Sequence, residues 1–279
     1  MQGLMMNMPL LISSVMEHAE RHHPHGEIVS RRTEGDIHRT TYGEVAKRTK
    51  KLANTLTSLG VQQGENVATL AWNGYRHVEI YYAVSGMGAV VHTLNPRLFP
   101  EQLVYIINHA KDTMVFFDST FAPLIKAIAP ACPTVKRWVQ MCDEAVMPSE
   151  PAVAGCLNYE ALIKDASEKY VWPQLDENAA SGLCYTSGTT GNPKGALYSH
   201  RSTVLHAMAA CTPDALGLSS RDTILPVVPM FHVNAWGIPY IALMTGAKMV
   251  MPGGALDGAS IYELLESEKV NFSAGVPTV

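Results

Sequence analysis

The chain predicts an α/β protein of mainly parallel sheets flanked by helices in layers, and three observations carry that reading. From residue 65 onward, short β-rich runs alternate with helical stretches at intervals of roughly two dozen residues, the rhythm of βαβ units. Of its 279 residues 47% are apolar, enough for a sizeable core of a size between one large domain and two ordinary ones. A Gly- and Thr-rich segment interrupts the rhythm where open α/β sheets hold their ligands.

In chain order, residues 1–12 are apolar but lack the basic start of a signal peptide, and they run into an amphipathic helix with Ile12, Val15, Met16 and Ala19 on one side. His22, His23 and His25 share a polar stretch with Arg21 and Pro24, without an acidic or Cys ligand at useful spacing, and read as a solvated turn rather than a metal site. A hairpin is expected over 27–32 and 36–41. Thr41-Tyr-Gly-Glu44 has the form of a capping box, opening a helix over 45–59 that stops at Gly60. Strands follow at 67–72, 89–93, 114–117 and 136–140, with helices over 76–86, 100–110 and 121–129, joined by right-handed crossovers. Residues 143–180, rich in Pro, Ala, Asp and Glu, read as an irregular connection with one helix near 159–166. A second series is expected after residue 181: strands at 182–186, 223–227, 248–251 and 271–274, and helices over 201–210, 235–243 and 260–268. In the 201–210 helix the apolar spacing is that of Val204, Leu205 and Met208. The segments are then 1–64, 65–142, 143–180 and 181–279.

The interrupting segment is Tyr185-Thr-Ser-Gly-Thr-Thr-Gly-Asn-Pro-Lys-Gly195. Gly188, Gly191 and Gly195 allow close backbone approach, so that successive N–H groups turn toward one anion. Thr186, Ser187, Thr189 and Thr190 add hydroxyls, and Lys194 adds a charge on a flexible stem. The order read here is strand, Gly-rich turn, helix, which is suited to a polyphosphate, with ATP the expected cargo. Lys194 precedes Gly195 where a Walker A loop needs Ser or Thr, so this is no ordinary P-loop. Tyr185 stands where a nucleophile elbow around Ser187 needs Gly.

This segment resembles the phosphate-binding signature of the adenylate-forming superfamily, which includes acyl-CoA synthetases. Leu225-Pro-Val-Val-Pro-Met-Phe-His-Val-Asn-Ala-Trp-Gly-Ile-Pro239 resembles the Phe-His segment lining the acyl pocket of fatty-acyl-CoA synthetases. The resemblance extends along the whole chain, and a medium- or long-chain fatty-acid:CoA ligase is the nearest kind of enzyme. It implies that a carboxylate attacks the α-phosphorus of ATP, releasing pyrophosphate, and that the acyl-adenylate is passed to coenzyme A. It implies Thr186 near Mg²⁺, and Ser187, Gly188, Thr189, Thr190, Gly191 and Lys194 on the β- and γ-phosphates. It also implies His232 as the catalytic residue beside the carboxylate or adenylate. Trp236, one helical turn on, gates or floors the acyl channel, with Val233 and Met230 adding apolar lining. The adenine-stacking aromatic, the ribose-binding Asp and the catalytic Lys of the superfamily lie outside these residues. The chain, stopping at Val279 without a closing helix, is therefore expected to be an N-terminal portion that is inactive by itself.

Lys+Arg 21 against Asp+Glu 25, a net charge of −4, give no broad basic surface for nucleic acid. Cys132, Cys142, Cys156, Cys184 and Cys211 are scattered and never spaced Cys-x-x-Cys, which fits a reducing cytoplasm; Cys184 reads as a small apolar strand residue. No run of about 20 apolar residues is present to span a bilayer, although a fatty substrate could bring the protein near membranes. The resemblance extends to an N-terminal region that contributes to homodimers. Alternatives to a fatty acid are an aryl or short branched acid, or a non-catalytic fragment serving as an oligomerisation module.

Overall fold

The computed structural model describes residues 1, 3–186 and 192–276. Its strands form two sheets. The larger, of seven strands, is ordered β7 (Leu157–Asn158), β6 (Arg137–Met141), β5 (Met114–Asp118), β3 (Asn66–Leu70), β4 (Val90–Thr93), β8 (Ala180–Thr186), β9 (Lys194–Ser199). Every neighbouring pair is parallel except β8 and β9. The smaller, of five strands, is ordered β12 (Phe272–Ala274), β10 (Thr223–Pro226), β11 (Lys248–Met251), β1 (Glu27–Arg31), β2 (Ile37–Thr41), with only β1 and β2 antiparallel. The central strands are covered on both faces and so are apolar without alternation; Met114, Val115, Phe116 and Phe117 are all buried.

The segments of the chain do not map one to one onto sheets. The hairpin β1–β2 adds to strands from 223–274, while β8 and β9 extend the sheet begun at residue 66. Between the sheets lies α3 (Tyr75–Gly86), buried at every residue and touching β4 and β8 on one side and β1 on the other. Around it pack α1 (Ile12–His22) and α2 (Tyr42–Ser58). The buried face of α1 holds Ile12, Val15, Met16 and Ala19, as its periodicity requires. The start of α2 is capped by Thr41, whose hydroxyl accepts from the Glu44 N–H at 3.3 Å.

Several elements differ from expectation. His22 and His25 are exposed, whereas His23 is half-buried against Gly246. In the 143–180 connection, α6 spans only Tyr159–Ile163, preceded by the short β7. In α7 (His200–Ala210) the buried face is His200, Thr203, Val204, Ala207 and Ala210, while Leu205 and Met208 are exposed. The small side chains let α7 approach α9 (Ile238–Thr245), and close approach outweighs apolar bulk. The remaining helices, α4 (Pro100–Ala110), α5 (Ala122–Ile128) and α10 (Gly258–Ser267), fall within a few residues of their predicted spans.

Where α2, α3, α6 and the β1–β2 turn converge, the chain buries a charged junction. Arg76 donates to Glu34 at 2.7 Å, to Glu160 at 2.8 Å and to Asp143 at 2.5 Å. Arg48 bonds Glu79 at 2.7 Å and Glu160 at 2.9 Å, and the Tyr159 hydroxyl donates to Glu79 at 2.7 Å. Burial opposes ionisation of Glu160, but Arg48 and Arg76 hold its carboxyl below the usual carboxylate range. Every acid here has an Arg partner, the condition under which charges tolerate burial.

Candidate active site

The loops that could bind a ligand leave the carboxyl ends of parallel strands. Residues 72–74 follow β3, the Gly/Thr-rich segment follows β8, and residues 227–236 follow β10. Asn73, buried, ties the first of these to the third: its amide donates to the carbonyls of Pro226 and Val228 at 2.9 Å each, and its oxygen accepts from Met230 N–H at 2.7 Å. One side chain thus satisfies three backbone groups on a segment that has left its sheet.

That segment then turns with the wrong hand. Val233, Asn234, Ala235 and Trp236 have φ of 48°, 51°, 50° and 55°, followed by Gly237 at 77°. The predicted helix over 235–243 is therefore two pieces, the left-handed turn α8 (Val233–Trp236) and the right-handed α9. Left-handed backbone costs roughly 1–2 kcal/mol per L-residue, most for a β-branched one such as Val233, so the surroundings must hold it. Tyr81 of α3 donates to the Met230 carbonyl at 2.5 Å and to Asn234 Oδ1 at 3.3 Å. His206 Nε2 of α7 donates to the Trp236 carbonyl at 3.0 Å. The sequence carries a signal for this turn in Asn234 and Gly237, residue types that tolerate positive φ.

Beside the turn is a cleft of about 320 Å³, within the range of small-molecule pockets. Val233, Trp236 and Gly237 from the turn face Tyr198 of β9, Thr203 and His206 of α7, and Tyr240 of α9. Among the described residues no Asp, Glu, Lys or Arg lines it. A second cleft, of about 330 Å³, meets it at His206 and Trp236 and is otherwise lined by Ala209, Ala210, Ala215 and Leu216. Both accommodate apolar matter and repel unpaired charge.

The cleft abuts the stem of the phosphate loop. Cys184 of β8 lies 3.5 Å from Asn234 Oδ1 and 3.2 Å from the Thr93 hydroxyl, and burial raises its thiol pKa, so it is a packed thiol, as its sequence context implied. Two residues later, Thr186 pairs with Lys194 as the last rung of the β8–β9 hairpin, its hydroxyl 3.4 Å from the Lys194 carbonyl. Both are exposed. Ser187, Gly188, Thr189, Thr190 and Gly191 lie outside the described residues. The order here is strand, loop, strand, then helix. Ser199 pairs with Ala180, so α7 begins at the opposite end of β8 and its N-terminus does not face the loop. Lys194-Gly-Ala-Leu-Tyr-Ser199 carries no apolar/polar alternation, so no local period marks this strand in the sequence.

The remaining candidates divide. His232 precedes the left-handed turn and is exposed rather than packed in the core. Val233 and Trp236, each 40% exposed, line the cleft, whereas Met230 is fully buried and does not. Because α8 is left-handed, Trp236 does not follow His232 by an ordinary helical turn. Tyr198, Thr203, His206 and Tyr240 were not foreseen as lining, although Thr203 and His206, three apart on one helix, share a face that periodicity marks.

A mainly parallel α/β sheet with a Gly/Thr-rich segment after one strand and a cleft beside that strand has the arrangement in which open α/β sheets hold ligands. The chain belongs to the AMP-binding enzyme family, whose model matches residues 16–279. It is 55% identical over 279 residues to the medium-chain-fatty-acid–CoA ligase of Ectopseudomonas oleovorans, covering 100% of this chain and 51% of that protein. It is 53% identical over 281 residues to the 3-methylmercaptopropionyl-CoA ligase of Ruegeria lacuscaerulensis, covering 100% and 52%. The fold is similar to that of the anthranilate CoA ligase AuaEII in complex with anthranoyl-AMP, at 22% identity and a TM-score of 0.87 over 100% of this chain and 52% of that one. The chain spans about half the length of these relatives. Among the described residues no helix is long and apolar enough to cross a membrane.

Proposed function

We propose that the protein takes part in AMP-forming ligation of an apolar carboxylic acid, of the medium-chain fatty-acid class, to coenzyme A. The observation that carries this is the contact between Cys184 and Asn234, which joins the stem of the phosphate loop to the wall of an uncharged cleft. An acid chain in the cleft and a nucleotide at the loop would then meet at the carboxyl ends of β8 and β10. Burial of the chain gains roughly 0.8 kcal/mol per methylene, so the cleft grades length gently.

In this reading ATP supplies the α-phosphorus that the carboxylate attacks, with pyrophosphate leaving and an acyl-adenylate formed. Thr186 and Lys194 fit that role by chemistry and by place: a hydroxyl and an ammonium, both exposed, on the rung that closes the hairpin. Lys194, with Ser187, Gly188, Thr189, Thr190 and Gly191, grips the β- and γ-phosphates. Thr186 contributes one ligand to Mg²⁺, which takes most of its oxygens from phosphate and water. Charge builds on phosphate oxygens, so these residues act by positioning and electrostatic stabilisation. His232 stands as a donor toward the carboxylate or adenylate, and Val233 and Trp236 hold the chain. The segments 1–64, 65–142, 143–180 and 181–279 work as one folding unit, because their strands are exchanged between sheets. The N-terminal residues, where Leu4, Met5 and Met8 are exposed, form a homodimer contact that sedimentation at micromolar concentration tests.

The test is acid-dependent exchange of labelled pyrophosphate into ATP by the full-length protein. Lys194→Ala combined with Thr186→Ala must lower it by at least about 100-fold, the scale of losing transition-state charge stabilisation; unchanged exchange overturns the proposal. A short thioether acid is the second reading, favoured by the 53% identity to a 3-methylmercaptopropionyl-CoA ligase. Octanoate and 3-methylmercaptopropionate in the same assay decide between them.

A further inference from the structure

The two faces of the β8–β9 hairpin do different things. Tyr198 lines the acid cleft and Cys184 packs on Asn234 behind it, while Tyr185, one residue on, faces α4 and a buried polar pair. His92 of β4 and Asp112, just after α4, are both fully buried. His92 Nδ1 lies 2.8 and 2.9 Å from the two oxygens of Asp112, and its Nε2 has no hydrogen-bond partner among the described residues. The ring of Tyr185 lies against that of His92, centroids 5.2 Å apart. At its other end the Tyr185 hydroxyl meets His109 Nδ1 of α4 at 2.6 Å, and Tyr105 stacks on His109 at 5.3 Å. Across the hairpin Tyr185 is paired with Gly195, where an added Cβ would lie 3.3 Å from the Tyr185 ring. A side chain at 195 would therefore crowd both the Tyr185 ring and, at 3.0 Å, Leu183.

Tyr185 therefore adjoins Thr186 on one strand and covers the residue next to Lys194 on the other. We propose that Tyr185 is a positioning residue for the nucleotide: its bond to His109, and its seat on the Asp112-held ring of His92, fix the rung from which Thr186 and Lys194 reach phosphate. This rests on the reading of that loop as the ATP site. A side chain anchored at both ends removes freedom that the hairpin would otherwise lose on binding, so loosening it weakens nucleotide binding and leaves the acid cleft, on the opposite face, as it was.

The test compares Tyr185→Phe, His109→Ala and the double variant in the full-length protein by pyrophosphate exchange, with Lys194→Ala as reference. Each single variant loses one hydrogen bond of net worth near 1 kcal/mol, so KM for ATP rises about fivefold, with KM for the acid unchanged. The double variant shows the same rise as the singles, because both remove one interaction. The proposal is overturned if the two effects multiply, if KM for acid and ATP rise together, or if neither rises while Lys194→Ala raises KM for ATP. If Lys194→Ala itself leaves KM for ATP unchanged, it is the ATP reading of the loop that falls, and this proposal with it. Melting temperatures separate positioning from general loosening: Tyr185→Phe keeps the ring on His92, so its melting temperature falls by no more than the roughly 2–4 °C that one hydrogen bond is worth, and a larger fall overturns the positioning role.

Discussion

The charged junction under α3 and the uncharged turn above it are held by opposite means. At the junction, Arg48 and Arg76 bind four carboxylates from elements far apart in sequence. At the turn, Asn73, Tyr81 and His206 hold backbone carbonyls and amides by single hydrogen bonds, and among the described residues no Asp, Glu, Lys or Arg lines the cleft. The same helix carries both kinds of group, Arg76 and Glu79 to one side and His77 and Tyr81 to the other. The difference teaches that at the junction each buried charge has a fixed partner, whereas the described lining of the cleft carries none of these charges.

The comparison breaks most forcefully at Arg76. Arg76→Ala leaves Glu34, Glu160 and Asp143 without that partner, and urea unfolding should show a loss of about 3–5 kcal/mol; a loss under about 1 kcal/mol would mean the junction is solvated. Next comes pH. His77 is neutral and bonded on both sides, Nδ1 donating to the Trp72 carbonyl at 3.0 Å and Nε2 accepting from Thr69 at 2.9 Å. Burial pushes its pKa down to about 4, only partly offset by the Trp72 carbonyl. Its folded pKa is below the unfolded value of about 6.5, so its contribution is full above pH 6.5 and is lost as pH falls toward 4. The stability gap between the parent and His77→Gln should widen by about 3 kcal/mol from pH 4 to 6.5. A gap independent of pH would show that His77 is solvated. The carboxylate Glu160, with its lowered pKa, acts in a different window: its contribution is present above the ordinary carboxylate range and lost only below it.

Smaller effects sharpen the turn. Asn73→Ala strands one amide and two carbonyls, a cost of about 2 kcal/mol by urea unfolding, together with a higher KM for the acid. Gly237→Ala puts a side chain at φ 77°, within 2.7 Å of the His206 ring, for about 1–2 kcal/mol. If Gly237→Ala is neutral, the backbone there is not held as described.

Most of the fold was legible because βαβ segments carry local signals: buried parallel strands are apolar runs and helices announce their caps, as Thr41 and Glu44 do. Sheet membership was not legible, since nothing local in 27–41 says that β1 will pair with β11. The end of the left-handed turn was misread as the start of the helix expected over 235–243, because the tertiary bonds from Tyr81 and His206 that hold the turn leave no local mark. Of the residues that line the cleft, Val233 and Trp236 were singled out in the sequence and Tyr198, Thr203, His206 and Tyr240 were not, because α7 and β9 meet the turn only after folding. The β9 strand itself was overlooked beside the loop it closes.

The measurement that most directly tests whether the uncharged cleft selects the acid is the chain-length profile of pyrophosphate exchange by Trp236→Ala in the full-length protein. Removing the indole that stands between the two clefts should shift the preferred acid to longer chains, with KM for ATP unchanged. An unaltered length profile, or a change in KM for ATP with no change in acid preference, would contradict it.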